Sequence, residues 1–162
     1  MTGFVIYALP VSEGIIALSP LPGRNGDYKA DLEHLRDWQP AIVISMTTLA
    51  EMVARDAGGL GNDVRDMGTR WMHVPIADFG APTPEVEDKW HAAAKAALGA
   101  LQGGGRVLIH CNGGCGRSGM AVLRLMIEAG EAPDTALARL RAIRPCAVET
   151  DAQRQWAFDG QS

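Results

Sequence analysis

Positive charge is not in excess in this sequence. Fifteen Lys and Arg stand against nineteen Asp and Glu, a formal net charge of -4, so nothing draws the chain to nucleic acid or to an anionic membrane in general. Any anion it recognises must meet a local site. Long apolar runs are also missing, and none approaches the length of a membrane span. The stretch from Met1 to Pro20 is fairly apolar but lacks a basic leading segment and is broken by Pro10, Glu13 and Gly14, which argues against a signal peptide. Cysteine is scarce, with three in the chain, an odd number that predicts free thiols in a reducing, cytoplasmic setting rather than a disulfide framework. Cys111, Cys115 and Cys146 lack paired ligand spacing and the four histidines are scattered, so neither metal nor other cofactor is expected.

What is present fits one globular domain over residues 1–162, since 47% hydrophobic and 21% charged residues are ordinary for a soluble chain with its own core. Strand-like and helix-like segments alternate, which predicts an α/β fold: a central, mostly parallel sheet with helices on both faces. Phe4 to Leu9 and Gly14 to Leu18 read as an antiparallel edge, and Ala41 to Ser45, Trp71 to Ile76 and Arg106 to His110 as further strands. Leu32, Leu35 and Trp38 share a helix face ended by Pro40, and a short helix starts after Thr47 or Thr48. Residues 57–69 are glycine-spotted and carry no clear pattern. Thr83 and Pro84 open a long helix that stops at Gly103 to Gly105. Further helices follow from Met120 to near Gly130, from Pro133 to Ile143, and from Thr150 or Asp151 through Phe158.

The strand ending at His110 runs into His-Cys-Asn-Gly-Gly-Cys-Gly-Arg-Ser-Gly, residues 110–119, and then into a helix. A glycine-rich turn at a helix start aims successive backbone N–H groups at one point, with the positive end of the helix dipole behind them. Asn112, Gly113, Gly114, Cys115 and Gly116 are therefore candidate phosphate-binding positions, and Arg117 adds a planar two-pronged donor. Cys111 begins the same loop, where these dipoles favour the thiolate, the nucleophilic form. A nucleophile and an oxyanion cradle coincide. The loop carries no lysine, so it suits a single phosphate.

The order Cys111, five intervening residues, Arg117, Ser118 resembles the signature of the cysteine-dependent protein tyrosine phosphatase superfamily. The resemblance implies that Cys111 attacks phosphorus to form a phosphocysteine, that Arg117 binds equatorial oxygens, and that Ser118 stabilises the departing thiolate. His110 would position and tune the cysteine. The leaving alcohol needs a proton from a carboxylic acid on a neighbouring loop. Asp78 is the candidate, because Pro75-Ile76-Ala77-Asp78-Phe79-Gly80-Ala81-Pro82 is similar to the general-acid loop of dual-specificity phosphatases.

Leu21-Pro22-Gly23, this acid loop, the Gly-Gly-x-Gly-Arg-Ser core and Ala147-Val148-Glu149-Thr150 with Gln153 resemble most the kinase-associated phosphatase branch. That resemblance implies that Gln153 or Glu149 orients the hydrolytic water, although a capping role is equally open to a polar residue at a helix start. It also implies a metal-independent phosphomonoester hydrolase acting on phosphotyrosine, and on phosphoserine or phosphothreonine, of proteins. The partner would be a phosphorylated protein, a kinase among the candidates, with no nucleic acid and no membrane, and the chain would be a monomer. The competing readings are a phosphatase for a non-protein phosphoester, such as an inositol lipid, a sugar phosphate or an RNA end, and a catalytically weak phosphate-binding module. Cys115 and Cys146 are candidates to resolve an oxidised Cys111 as a disulfide. Trp71 or Phe79 could border the pocket, and Arg139, Arg141 and Arg144 read as solvated helix residues.

Overall fold

The computed structural model describes residues 3–160. Five strands, β1 Tyr7–Val11, β2 Gly14–Ser19, β3 Ile42–Ser45, β4 Arg70–His73 and β5 Arg106–His110, form one sheet in the order β1-β2-β5-β3-β4. β1 pairs antiparallel with β2, and the other pairings are parallel. The edge hairpin begins later than its apolar pattern suggests: Pro10 stays in the strand, opposite Ile15, and the turn shrinks to Ser12 and Glu13. An edge strand can leave one ladder donor unfilled, which is what proline requires. β4 ends early for a related reason. Pro75 has no N–H to offer, while the amides of Val74 and Ile76 bond to Ser45 O and Met46 O as the chain bends away.

Seven helices cover the sheet among the described residues. α1 Tyr28–Trp38, α2 Leu49–Ala54 and α3 Leu60–Asp66 cover one face, packing Leu35, Met52, Leu60 and Val64 against Val43 and Leu108. α4 Pro84–Gln102, α5 Gly116–Glu128, α6 Pro133–Ile143 and α7 Asp151–Phe158 cover the other, against Ile16, Leu18, Ile42, Ile44, Val107 and Ile109. The two sets of strand residues alternate along β3 and β5, as the two-residue period of a strand demands. A sheet covered on both faces reads as the continuous apolar runs of β3 and β5. α3 arises in the glycine-spotted region that carries no clear pattern in sequence.

α5 lies deepest, with every residue from Gly116 to Leu123 buried. Its first turn meets the α6–α7 connection at backbone distance: a Cβ on Gly119 would lie 2.7 Å from the Val148 nitrogen and 3.0 Å from Ala147 Cα. Gly119→Ala therefore lowers stability by about 1–3 kcal/mol despite alanine's better helix propensity, because neither neighbour can yield without moving backbone. Urea unfolding of the two proteins measures this, and an unchanged or higher midpoint would contradict the packing described.

Candidate active site

The carboxyl ends of the four parallel strands converge, the usual location of a site in a sheet of this kind. β2 leads into Ser19-Pro20-Leu21, β3 into Met46 to Thr48 and α2, β4 into the loop carrying Asp78, and β5 into Cys111. The loop from 111 to 116 is fastened on both sides, with Met46 N donating to His110 O at 3.0 Å and Leu21 N donating to Asn112 O at 3.0 Å. Gly114 has φ +75 and its missing Cβ would stand 2.7 Å from Pro20 N, so the position admits glycine alone.

Cys111 is buried, and its Sγ lies 3.2 Å from Ser118 Oγ in the first turn of α5. That hydroxyl can donate to a thiolate. Behind the cysteine, His110 Nδ1 is 3.0 Å from Cys111 O, which can only accept, so Nδ1 carries the proton. Nε2 then accepts from Ser45 Oγ at 2.5 Å, and Ser45 Oγ accepts in turn from Trp71 Nε1 at 2.8 Å. Complete burial lowers the His110 pKa to about 4, so the imidazole is neutral and holds the cysteine's backbone rather than its charge.

Arg117 is 1% exposed. Its Nη1 and Nη2 donate to Glu51 Oε1 and Oε2 at 2.7 and 2.8 Å, a two-pronged pair, and Nη1 also donates to Ile76 O at 2.7 Å. Nη2 lies 3.4 Å from Asp78 Oδ1, while Nε is buried with no hydrogen-bond partner. Burial opposes the charged guanidinium, but the bonds to Glu51 outweigh it and raise its pKa. Glu51 itself is held at about 2, chiefly by the Arg117 hydrogen bond and despite its own desolvation. Sequence reasoning missed Glu51. Thr48-x-x-Glu51 forms a capping box at the start of α2, a pattern visible in sequence, but a box predicts a cap and not the arginine sixty-six residues away.

Asp78 is about half exposed, at 53% of its side chain, and its Oδ1 accepts from Phe79 N at 3.0 Å. Phe79 follows in the left-handed region with φ +61, the residue 59% exposed. Gln153 Nε2 donates to Gly80 O at 3.2 Å, while its Oε1 accepts from Glu149 N and Thr150 N in the capping box of α7. Both ends of that buried amide are engaged. Glu149, by contrast, lines the cavity. This cavity of about 330 Å³, at the small end for ligand sites, is bordered by Arg24, Asp78, Phe79, Cys111, Arg144 and Glu149 together with the loop backbone. Phe79 thus borders the pocket, whereas Trp71 supports Ser45 behind it.

Two expectations are corrected. Cys115 and Cys146 are bonded to each other, with Cα atoms 5.2 Å apart, so the chain carries a disulfide and neither cysteine is available to resolve Cys111, which is the free thiol. The pairing joins residues 31 apart, a proximity created only when the α6–α7 connection folds over the loop. Arg144 is no solvated helix residue: its Nε and Nη2 each donate at 3.0 Å, to Gly114 O and Gly113 O. Arg141 remains exposed on α6 while donating to Ala147 O and Val148 O, and the partly exposed Arg139 donates to Glu131 and Pro10 O. Among the described residues no cluster of His, Cys, Asp and Glu could hold a metal ion, and no helix is long and apolar enough to cross a membrane.

A buried thiol and a buried arginine on one loop, at the carboxyl edge of a parallel sheet covered on both faces, define a cysteine-based phosphatase fold of the dual-specificity type. The chain belongs to the family described as "Polymorphic toxin system, DSP-PTPase phosphatase", whose model matches residues 20–131. No curated protein matches it. Kinase associated phosphatase (KAP), crystallised with its catalytic-site cysteine changed to serine, superposes with a TM-score of 0.85 over 98% of this chain and 94% of that one, at 23% identity. Tk-PTP in its active form gives 0.74 over 90% of each chain at 26% identity. PTPMT1 in complex with PI(5)P gives 0.75 over 95% and 93% at 20% identity.

Glu51→Gln leaves Arg117 buried with a weaker partner, so stability and kcat/KM both fall at neutral pH. The sign of its pH dependence follows from the depressed pKa of Glu51. The stabilisation is complete above the ordinary carboxylate value of 4.5 and is lost as pH falls through about 2. The stability gap between wild type and Glu51→Gln is therefore widest near neutrality and closes between those two values. Thermal melts across that range check it, and a gap independent of pH would mean that the pair is not the source.

Proposed function

We propose that the chain hydrolyses phosphomonoesters on proteins, phosphotyrosine foremost, through a phosphocysteine. The observation that carries this is the Cys111 Sγ in reach of Ser118 Oγ on a loop whose buried Arg117 keeps Nε unpaired. In the first step the Cys111 thiolate attacks phosphorus, the P–O ester bond breaks with its electron pair on the leaving oxygen, and Asp78 protonates that oxygen. Loop amides from 112 to 117 and the Arg117 Nε–H and Nη2–H bind the equatorial oxygens, where charge accumulates. Glu51 fixes the guanidinium plane so that its free edge faces the substrate.

In the second step a water gives its proton to Asp78 and attacks phosphorus on the face the alcohol has left. The S–P bond breaks, and the electron pair returns to Sγ, steadied by the Ser118 O–H. Glu149 on the cavity wall is the better placed of the two candidates to orient that water, since the Gln153 amide is committed at both ends. Phe79 supports an aryl substrate. An exposed aromatic ring held beside Asp78 by an uncommon backbone conformation offers a face for the phosphotyrosine ring to stack on. A KAP-like fold is in keeping with a phosphorylated protein as substrate, a kinase among the candidates.

One observation favours a second reading. The exposed Arg24 on the cavity rim would reward a second anionic group, as on a phosphoinositide headgroup, although the loop itself carries no lysine.

Cys111→Ser abolishes turnover of an aryl phosphate while inorganic phosphate still binds. Asp78→Asn lowers kcat by about 10²- to 10⁴-fold on a phosphotyrosine peptide, and by less on an ester whose leaving group needs no proton. Phe79→Ala raises KM for the phosphotyrosine peptide more than for a phosphothreonine peptide. Assaying both peptides and a phosphoinositide side by side ranks the two readings. Purified wild type that turns over none of these from mildly acidic to mildly basic pH would end the enzymatic one.

A further inference from the structure

A loop that aims its N–H groups at a phosphate must turn its carbonyls outward, and those carbonyls need partners. In this chain Leu21 N serves Asn112 O and Gly119 N serves Cys115 O, and the remaining partners come from one short segment, residues 144–148. Arg144 donates to both Gly113 O and Gly114 O, and its guanidinium is anchored 4.4 Å over the Tyr7 ring with Nη1 on the Tyr7 hydroxyl at 3.1 Å. Val148 N donates to Cys115 O at 3.2 Å. Cys146, midway between these contacts and exposed, is bonded to Cys115 in the loop itself.

The segment is held in an unusual shape. Val148 is β-branched yet has φ +68, a conformation that persists only where the surroundings enforce it, and Arg141 enforces it by gripping Ala147 O and Val148 O at 2.9 Å. Within the loop Gly113 is the open position, where a Cβ would meet nothing nearer than 4.0 Å, while Gly114 packs against Ser19 and Pro20. The order of the cradle thus draws on the segment behind it as well as on the end of β2.

We propose that residues 144–148 form a strap on the phosphate loop and that the Cys115–Cys146 disulfide sets the loop's affinity for phosphate, so that reduction weakens binding without touching Cys111. A dithiol reductant supplies two electrons and two protons. The S–S bond breaks, Cys115 and Cys146 become thiols, and the reductant closes into its own disulfide. Arg144 then holds the two glycine carbonyls without the covalent tie at the centre of the strap. The proposal rests on the phosphate-binding role of the loop and not on turnover.

The test uses Cys111→Ser protein, in which a reductant can act on the Cys115–Cys146 pair alone. Calorimetry with inorganic phosphate before and after dithiothreitol, with thiol alkylation and mass measurement counting the two freed cysteines, gives the affinity of each form. The dissociation constant is expected to rise about tenfold on reduction. Adding Cys146→Ser reproduces the weakened value and removes the response to dithiothreitol. In the enzyme with Cys111 intact and reductant present, Cys146→Ser raises the inhibition constant of inorganic phosphate by the same factor.

Equal affinities for the oxidised and the fully reduced protein would overturn the proposal. Should the Cys146→Ser protein fail to fold, the reductant titration decides by itself. A protein that binds phosphate in a redox-dependent way but turns over no ester would uphold the strap and end the enzymatic reading. Redox-independent binding with full turnover would do the reverse.

Discussion

A guanidinium buried to 1% exposure must meet its charge within the protein, and in this chain one carboxylate does so with both oxygens. The Arg117–Glu51 pair organises more than its two residues. Arg117 opens α5, Glu51 sits in the first turn of α2, and the same guanidinium donates to Ile76 O and stands beside Asp78, so three strand-end segments are referred to one planar group. Removing either partner of such a pair costs about 3–5 kcal/mol in typical buried cases, because the remaining charge is stranded. The two nitrogens spent on Glu51 leave Nε buried without a hydrogen-bond partner, the edge that the proposed function assigns to an anion.

The site's place in the fold follows from strand direction. β2, β5 and β3 run parallel, so the residues after Ser19, His110 and Ser45 emerge side by side, and their amides and carbonyls close the base of the loop before any side chain is considered. His110 shows how the interior serves this arrangement. A neutral imidazole between Ser45 and the Cys111 carbonyl ties β5 to β3 without burying a charge, which burial would penalise heavily.

Much of this is legible in the sequence. The α/β class, the parallel sheet, the strand–loop–helix unit around Cys111 and the loop that carries Asp78 follow from local signals, because glycine spacing, apolar runs and proline breaks act over a few residues. The bounds of β5 and α6 match the expected segments, as both are marked at each end. What escaped were pairings made by topology. Glu51 meets Arg117, Arg144 meets Gly113 and Gly114, and Cys115 meets Cys146 only after the sheet has assembled. None of these pairs has a spacing that announces it. α3 escaped for the opposite reason: its turn is short and glycine-flanked, and it is held by packing Leu60 and Val64 into the core rather than by propensity.

The Gln153 amide joins two segments that lie 73 residues apart in the chain. One side of it closes the first turn of α7 and the other carries the Gly80 carbonyl, one residue past Phe79 and two past Asp78. A turn of α7 that unwinds takes this bond with it. Fraying at the last helix is therefore felt at the mouth of the cavity, and a ligand that steadies the acid loop protects the far end of the chain from exchange and cleavage in the same measure.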